Sequence, residues 1–563
     1  MISSQIIFLC RALSAGVAAL ISFAAVDQLQ ANVINAKSVA LADVSTAIAA
    51  AREGDAVIVP AGSATWTATL TISKHITLQG AGVGQTIITD GAGSSTLLVV
   101  NASNGSQDAP TLRVTGFEFK GNRTGPSPRC QFIGSSIASQ NPLVLGCSSR
   151  FRLDNCKFDQ LTSEIAQFKN LLGVVDHCVF ITRGPNIQVM HTNWTPPGQT
   201  SVAGYAHGSW ADDPYWGSNK FLFVEDCDFT NDGGGVPAYG INPYEGARLT
   251  IRYNTFHDYT SWDAHGSEGR QPRGTKQIDA YKNKILFNRQ AHVGQIRSGT
   301  WLVHDNTFTN CKNLSAQIYR LFRNQSWGPA NGQNKWDNNP DTAPVASGIV
   351  ASKSGDTITA SGSPGWTAQE FDGKDGFTYV VRNMEIAVTA NGPRTQSYLA
   401  DNGSNTLLIN STAESPVWAA GDRFEVWRVR SIIDGPGWGK GRLMTGGIKD
   451  GPYTVGDVRW ADNGALASWP QKGYPNEPCY VWNNVNTGSG PAQVGFGPEG
   501  GMFLLGRDFF NLGNVGSIPV QIGPVGAKYD YKPFVYPHPL VSGDPSPPSP
   551  PDPPTNLQAV PGS

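Results

Sequence analysis

The chain has few charged residues and almost no excess of either sign. Of its 563 residues, 15% are Asp, Glu, Lys or Arg, and the formal net charge is −2. Because there is no basic surplus and no long run of like charge, the sequence offers no electrostatic footprint for nucleic acid, and we expect no such partner. The low charge content, together with 64 glycines, favours turns and buried strands over exposed helices.

Cysteine is also scarce, and its spacing suits neither disulfides nor metal. Seven of the eight cysteines follow residue 31, at positions 130, 147, 156, 178, 227, 311 and 479. An odd number in a chain of this length is not a disulfide framework, and no CxxC pair occurs. The motifs of zinc peptidases, serine hydrolases, phosphate loops and EF-hands are missing too, so we predict no metal site.

Long hydrophobic runs are missing except for one near the start. Ala12–Val26 is apolar, follows Arg11 and leads to polar sequence with a small residue at Ala31. This pattern is typical of a secretory signal peptide, which we predict over residues 1–31, and the run is short for a bilayer span. We therefore expect a secreted or cell-surface protein without a membrane span.

What the chain does contain is a repeat. The segments "RLDNCKF", "VVDHCVF", "FVEDCDF", "IRYNTF", "AYKNKI" and "VHDNTF" share one pattern. Its Cys or Asn is at Cys156, Cys178, Cys227, Asn254, Asn283 and Asn306, with a later copy near Asn484. An apolar residue, usually Phe, stands two places after each of the first six. Intervals of 22 to 29 residues match one coil of a parallel β-helix, and the single interval of 49 is a coil with an added loop.

This repeat predicts what fills the interior. Short strands stack on their counterparts in the next coil, so inward Phe and Ile form a continuous core. Inward Asn side chains can bond to one another along the stack, and Cys is a small substitute for Asn. A short amphipathic helix within "DVSTAIAAAREGDAVIVPAG", ending at Gly54, is predicted to cap the first coil.

Two segments carry a family resemblance. "STAIAAAREGDAVIVPAG" followed by "ITLQGAG" resembles the opening of the pectate-lyase-like superfamily of right-handed parallel β-helix proteins. "HGSEGRQPRGTKQIDAYKNKI" resembles a recurring stretch of secreted bacterial β-helix repeat proteins. The resemblance covers residues 40–340 and 430–540. It implies the fold and a polysaccharide partner, because the superfamily includes polysaccharide lyases, glycoside hydrolases, esterases and non-catalytic adhesins.

We therefore predict an all-β protein, a right-handed parallel β-helix with a small inserted antiparallel β module. The expected parts are a signal peptide (1–31), the capped β-helix (32–340), the β module (341–430), final coils with a C-terminal cap (431–541) and a Pro-rich tail (542–563). The module is predicted because short strands alternate there with Gly, Asn and Asp turns.

Aromatic residues are concentrated in the long loop between the Cys178 and Cys227 coils. Trp194, Trp210 and Trp216 are candidate substrate-binding residues, because sugar rings stack on aromatic faces while their hydroxyls bond to polar side chains. The alternative is that these rings pack over the side of the β-helix.

The stretch "WDAHGSEGRQPRGTK" (residues 262–276) is the candidate catalytic loop. Elimination on a uronate needs a base, for which we nominate His265, and a cation to stabilise the developing negative charge, for which we nominate Arg273 or Arg297. Arg297 lies in the next coil, where stacking would bring it near His265. Arg270 and Lys276 are candidate contacts to an acidic sugar, and Ca²⁺ is the one cofactor such chemistry suggests.

Three functions remain open from the sequence. The first is a polysaccharide lyase or, with facing carboxylates instead of His265, a glycoside hydrolase. The second is a non-catalytic glycan-binding surface or adhesin protein, which the β module and the Pro-rich tail favour. The third is a trimeric tailspike-like depolymerase, which the export signal disfavours.

Overall fold

The computed structural model of the chain describes most of the β-helix and the inserted module. The described residues are 31–101, 110–121, 129–133, 148–161, 164–182, 187–194, 206–211, 215–231, 238–264, 274–317, 343–372, 378–387, 395–410, 415–429, 479–499, 509–512 and 531–542.

Three parallel sheets run along the whole stack, and each coil contributes one strand to each sheet in turn. Sheet 1 contains β1 Val33–Asn35, β2 Ala56–Ile58, β5 Thr77–Gln79, β8 Leu112–Thr115, β11 Ser148–Asp154, β14 Leu171–Asp176, β17 Leu222–Glu225, β20 Arg248–Arg252, β23 Gln277–Tyr281, β26 Thr300–His304, β35 Cys479–Trp482 and β38 Phe509–Leu512. Sheet 2 contains β3 Gly62–Trp66, β6 Thr86–Asp90, β9 Glu118–Lys120, β12 Lys157–Asp159, β15 Val179–Thr182, β18 Asp228–Asn231, β21 Thr255–His257, β24 Lys284–Ala291, β27 Thr307–Cys311 and β36 Val485–Thr487. Sheet 3 contains β4 Leu70–Ile72, β7 Leu98–Asn101, β10 Cys130–Ile133, β13 Ala166–Lys169, β16 Ile187–Met190, β19 Ala238–Tyr244, β22 Tyr259–Ala264, β25 Gln295–Ile296, β28 Leu314–Gln317 and β37 Phe496–Glu499. The predicted parallel β-helix is confirmed.

The inserted module lies between β28 and β35 and is a closed antiparallel barrel. Its strands are β29 Ala346–Ser354, β30 Thr357–Ala360, β31 Thr378–Asn383, β32 Gln396–Asn402, β33 Thr406–Asn410 and β34 Arg423–Val429. Ring closure leaves no unpaired strand edge. The barrel has its own core around Phe371, Trp418 and Phe424. Trp418, which also donates to the Ser397 hydroxyl, is therefore a packed core residue.

A two-residue turn joins sheet 1 to sheet 2 in coil after coil. Its first residue has left-handed backbone, for example Asn155 (φ 48°) and Asp305 (φ 53°), and its second residue is the Cys or Asn of the repeat. The Asn side chains bond along the stack as predicted: Nδ2 of Asn283 donates to Oδ1 of Asn306 at 3.0 Å and to the Ile251 carbonyl at 2.8 Å. Each amide thus satisfies a buried backbone group and the next amide.

Aromatic rings two residues after the Cys and Asn positions form a second stack along the coils. Phe158, Phe180, Phe229 and Phe256 follow one another with centroid separations of 4.7 to 5.1 Å and interplanar angles of 10° or less. The thiols of the same coils are buried and do not form disulfides. Burial raises the pKa of Cys156 and Cys178. They act as small core residues rather than as reactive groups.

The predicted capping helix is present but ends earlier than expected. Helix α1 spans Leu41–Ala50, and Gly54 instead makes a turn with φ 86°. The backbone becomes extended at Ala51 (φ −69°, ψ 149°), and Lys74 Nζ binds the carbonyl groups of Ile48, Ala49 and Ala51 at 2.5 to 3.1 Å. A cation on the last carbonyls replaces the glycine cap that the sequence suggested.

A C-terminal segment, residues 531–542, lies along the outer face of sheet 1; we call it the C-terminal strap. It contains helix α3, Pro539–Ser542. Buried side chains of sheet 1 hold its backbone: Arg152 donates to the Leu540 carbonyl at 2.9 Å and Arg252 donates to the Phe534 carbonyl at 2.7 Å. The strap thereby crosses several coils and covers their outer face.

Candidate functional site

The longest connections of the β-helix leave from one corner, between the end of a sheet 3 strand and the start of the next sheet 1 strand. The aromatic loop (191–221), residues 265–276 of the candidate catalytic stretch and the segment that carries the barrel all begin there. His265, Arg270 and Arg273 lie outside the described residues. Their proposed roles stay predictions.

Two of the three nominated tryptophans are buried beneath this corner. Trp194 is 0% and Trp210 is 2% exposed, and Trp210 Nε1 donates to the Gly274 carbonyl at 2.9 Å. The Arg248 guanidinium lies 4.8 Å from the Trp194 ring centroid. Neither ring presents a face to a sugar in this structure; both cover the side of the β-helix, because desolvated aromatic area stabilises the loop where it crosses the sheet.

Trp216 and Lys276 are placed differently. Trp216 is half-buried and packs 5.7 Å from the Phe221 ring. Lys276 is buried, and its Nζ donates to the Ser209 carbonyl at 2.7 Å. Ser209 belongs to the short helix α2, His207–Ala211, so Lys276 binds a helix carbonyl where we had expected it to face an acidic sugar.

The nearby His191 is also a packing residue. Burial and the charge of Arg248 lower the pKa of His191 to about 3, so its ring is neutral. Its Nδ1 accepts the backbone N–H of Arg248 at 3.3 Å, and this bond ties the aromatic loop to strand β20.

Arg297 directly follows strand β25, in the coil next to the strand that leads into the candidate catalytic loop. Its neighbour Ile296 is the β-partner of Ala264, which directly precedes His265. However, the guanidinium is 1% exposed and binds Oδ2 of Asp263 at 2.7 Å and the Ala264 carbonyl at 3.2 Å. Its charge is already compensated, so this geometry suits a residue that positions the start of the loop better than one that meets the reacting atoms.

A row of polar side chains leads to the same point along the outer face of sheet 3. These residues, which we call the sheet 3 stripe, are β-partners in successive coils. The stripe consists of Gln131, Gln167, Gln188, Asn242, Asp263 and Gln295. Alternate residues such as Phe168, Ile241 and Trp262 belong to the core, so the stripe faces outward.

Hydrogen bonds link the middle of the stripe. Oε1 of Gln188 accepts from Nε2 of Gln167 at 3.1 Å and from the Tyr244 hydroxyl at 2.7 Å. Tyr244 is half-buried. It stands two residues after the stripe position of its strand, so its side chain lies on the same face of sheet 3. Asn242 is 6% exposed, and among the described residues its Oδ1 has no hydrogen-bond partner.

Two half-buried carboxyl groups flank the stripe at opposite ends of its strands. Glu164 precedes β13 and Glu245 follows β19. Burial raises the pKa of Glu164. Burial also raises the pKa of Glu245, against the opposing charge of Lys169. Burial and the charges of both carboxyls raise the pKa of Tyr244, so its phenol stays protonated and acts as a donor.

The stripe is not recognisable in the sequence, because its members are spread over more than 160 residues and share no local motif. A glutamine in a β-strand is unremarkable by itself. The usable signal was a polar residue one or two places before the end of these sheet 3 strands, but aligning those positions requires the loop lengths to be known.

Two properties can be checked over the described part of the chain. No helix there is long and apolar enough to cross a membrane. Within the same residues, no group of three or more His, Cys, Asp or Glu side chains is arranged to hold a metal ion.

Comparison of the chain with protein-family models and with curated proteins finds no match. Among solved structures, it is similar to an alginate lyase from Paenibacillus sp. str. FPU-7, at 13% identity and a TM-score of 0.31 over 51% of this chain and 98% of that one. It is similar to the catalytic unit of a thermostable GH87 α-1,3-glucanase from Streptomyces thermodiastaticus strain HF3-3, at 13% identity and 0.23 over 50% and 64%. It is also similar to ORF18 of Geobacillus virus E2, at 13% identity and 0.26 over 69% and 78%. Likenesses this low carry no argument about activity.

Proposed function

We propose that this chain acts on polysaccharide, binding the glycan along the sheet 3 stripe. The observation that carries the proposal is the stripe itself: polar side chains on the outer face of sheet 3 in register over successive coils, of which Gln131, Gln167 and Gln295 are half-buried, with the half-buried Tyr244 beside them. Amides offer both donors and acceptors to hydroxyl groups, and an adjacent aromatic ring offers a face for the CH side of a sugar.

The repeat of the stripe suits an extended ligand rather than a small molecule. Neighbouring strands of a sheet lie about 4.8 Å apart, so equivalent side chains recur at that spacing along the stack. A polymer with repeating hydroxyl groups can bind such a row at several successive positions. A small molecule would use only one of them.

We assign cleavage of the glycan to the candidate catalytic loop, which begins next to Arg297 at the Asp263 position of the stripe. In this proposal His265 is the base and Arg273 the cation of an elimination, while Arg297 and Asp263 hold the start of the loop. If the bond is hydrolysed instead, carboxyl groups take over the proton transfers. A glycan-binding protein without activity is the alternative, and the same experiment separates these outcomes.

Export is part of the proposal. The apolar run Ala12–Val26 supports a secreted or cell-surface location, where intact polysaccharide is found. Expression of the full chain with and without residues 1–31, followed by fractionation, tests this. Protein with the segment should leave the cytoplasm in processed form, whereas protein without it should stay inside.

Incubation of residues 32–563 with acidic and neutral polysaccharides, with and without Ca²⁺, tests the activity. Unsaturated-uronate absorbance and new reducing ends are recorded together. Both signals rising indicates a lyase, and reducing ends alone indicate a hydrolase. Retention on immobilised glycan without either signal would leave a binding protein and refute the catalytic part.

Matched variants test the residues. His265→Ala should abolish elimination, whereas His257→Ala, eight residues away on the outer face of sheet 2, should not. Arg273→Ala should lower the rate, and Arg423→Ala, on the exposed surface of the barrel, is its control. If His265→Ala retains full elimination, the base lies elsewhere.

A further inference from the structure

Two tyrosine rings are exposed side by side on the surface of the β-helix. Among the Phe, Tyr and Trp residues whose side chains the structure describes, Tyr253 at 36% and Tyr536 at 42% are the exposed ones. They are 283 residues apart (536 − 253), yet their ring centroids lie 3.8 Å apart at an interplanar angle of 24°. Single exposed aromatic residues are ordinary, whereas two that meet form a contiguous apolar patch. We call this pair the tyrosine platform.

Tyr253 stands at a position that does not favour an aromatic side chain. It is the first residue of the two-residue turn between sheets 1 and 2 and has φ 59°. Left-handed backbone is tolerated best by Asn and Asp and is rare for bulky residues. Along the stack the equivalent residues of seven described turns are Asn155, His177, Asp226, Tyr253, Lys282, Asp305 and Asn483. Six of the seven are polar, so the turn conformation by itself does not account for the tyrosine.

Buried neighbours hold the two rings in place. The Tyr281 ring packs at 6.3 Å and 75° to that of Tyr253, and the Arg252 guanidinium lies 5.2 Å from the Tyr536 ring centroid. Tyr281 and Arg252 are both buried. One face of Tyr253 lies on Tyr536, so its exposed surface belongs to its other face and its edges. The platform is therefore formed before any ligand arrives, which lowers the entropic cost of binding.

Polar groups border the platform along the stack. The Tyr536 hydroxyl donates to both carboxylate oxygens of Asp226, at 2.9 and 3.1 Å. Burial and the bond with Asp226 raise the pKa of Tyr536 to about 12, so the hydroxyl stays protonated. Asp226 and the exposed Lys282 occupy the turn position in the coils before and after that of Tyr253. Carboxylate and ammonium groups bond to hydroxyls, and an aromatic face between them accepts the CH side of a sugar ring.

We infer that the tyrosine platform binds sugar residues of a polysaccharide, as a second glycan contact at the corner between sheets 1 and 2. This rests on the proposed function and adds a binding site to it. The aromatic loop and the candidate catalytic loop begin at a different corner, between sheets 3 and 1. The platform therefore holds the polymer without taking part in its cleavage, and a second point of attachment raises the effective concentration of glycan at the protein.

The size of the platform favours a sugar over a protein partner. Two tyrosine side chains cannot supply the about 800 Å² that each partner contributes to a standard protein interface. A single sugar ring, by contrast, is covered by one aromatic face.

Affinity electrophoresis of residues 32–563 through gels that contain a neutral glucan, alginate or polygalacturonate tests the inference. The wild-type protein should be retarded in at least one of the three. Tyr253→Asn removes the ring but keeps a residue suited to the turn, as Asn155 and Asn483 show, and its apparent affinity should fall about tenfold. Tyr253→Phe keeps the ring and should stay within about twofold of wild type.

His177→Asn is the matched control, because it removes an exposed ring from the same turn position two coils away. It should be retarded like wild type. Tyr536→Ser removes the other ring of the platform and should weaken retardation as Tyr253→Asn does, which provides an independent variant on the strap. Circular dichroism and the melting temperature establish that each variant is folded.

The outcomes separate this inference from the proposed function. If Tyr253→Asn melts at a lower temperature but is retarded like wild type, the ring only anchors the strap; the inference is overturned and the proposed function stands. Cleavage of a glycan without retardation of the wild-type protein in any gel has the same meaning. Neither cleavage nor retardation would overturn both.

Discussion

The carboxylate of Glu225 and the guanidinium of Arg252 meet at 2.6 Å from adjacent coils of sheet 1, and neither side chain is exposed. The strap completes the pair: Glu225 accepts the His538 backbone N–H at 2.8 Å, and Arg252 donates to the carbonyls of Phe534 and Val535. A charged pair so far from water holds because every remaining donor and acceptor has a partner.

Arg252→Met should lower the free energy of unfolding by about 3–5 kcal/mol, because it leaves the Glu225 carboxylate buried without its cation. The double variant Glu225→Gln/Arg252→Met removes both charges and keeps an acceptor for His538. It should lose distinctly less than the single variant in denaturant titration. Equal losses would mean that packing of the arginine, not charge compensation, sets the effect.

Asn283→Ala should lower the free energy of unfolding by about 1–3 kcal/mol, since the Ile251 carbonyl and the Asn254 amide lose their partner. Asn283→Cys should lose less, because a thiol in this position reaches the preceding coil, as Cys227 does at 3.6 Å to the Val175 carbonyl. Asn101→Ala, at an exposed strand end, is the control and should change little. A Cys variant as unstable as the Ala variant would contradict this reading of the ladder.

His304 should make stability depend on pH. Burial opposes its charged form, but bonds with Asp279 and Asp305 outweigh burial and raise the pKa of His304 above its ordinary 6.5. A raised pKa in the folded state stabilises the protein fully below pH 6.5, and this stabilisation is lost as the pH rises through the raised value. The melting temperature should therefore fall across that window.

His304→Gln should flatten the decline, although it also removes stacking on Trp482 at 4.2 Å and lowers stability at every pH. The readout is the slope of the melting temperature against pH, not the melting temperature at any one pH. Bonding to His304 also lowers the pKa of Asp305, so its contribution is present above pH 3.8 and fades as the pH falls through the lowered value. A wild-type profile that stays level above pH 6.5 would refute the assignment.

Removing residues 531–563 should destabilise the β-helix. The strap covers Val174 and Phe223, and its carbonyls bind Arg152 and Arg252. Its loss therefore exposes apolar surface and removes the carbonyl acceptors of two buried guanidinium groups, which keep only their partners within sheet 1. We expect a lower melting temperature and binding of a dye specific for apolar surface. A chain that lacks only 543–563 keeps every described strap contact and should melt like the full-length protein; equal melting of both truncations would show that the strap adds nothing.

The sequence alone determined the β-helix and its interior. The Cys and Asn positions, the Phe that follows them and the inserted barrel all agree with the structure, because each coil must bury the same inward face and therefore repeats the same local pattern. The positions 156 to 306 could be aligned by eye for that reason. Cys and Asn share this position, as predicted, because it needs a small side chain that reaches a carbonyl of the preceding coil.

Tertiary structure alone decided what lies on the outside. Trp194, Lys276 and Arg297 have side chains typical of a binding site, yet all three are buried, and Lys276 and Arg297 bind Ser209 and Asp263 from other parts of the chain. Gln188 and Tyr244 are 56 residues apart and meet only because the coils stack in register. Local sequence patterns predict the inward residues, because every coil buries the same positions. Neighbours on the outer face depend on strand register and loop length, which cannot be predicted from a short stretch of sequence.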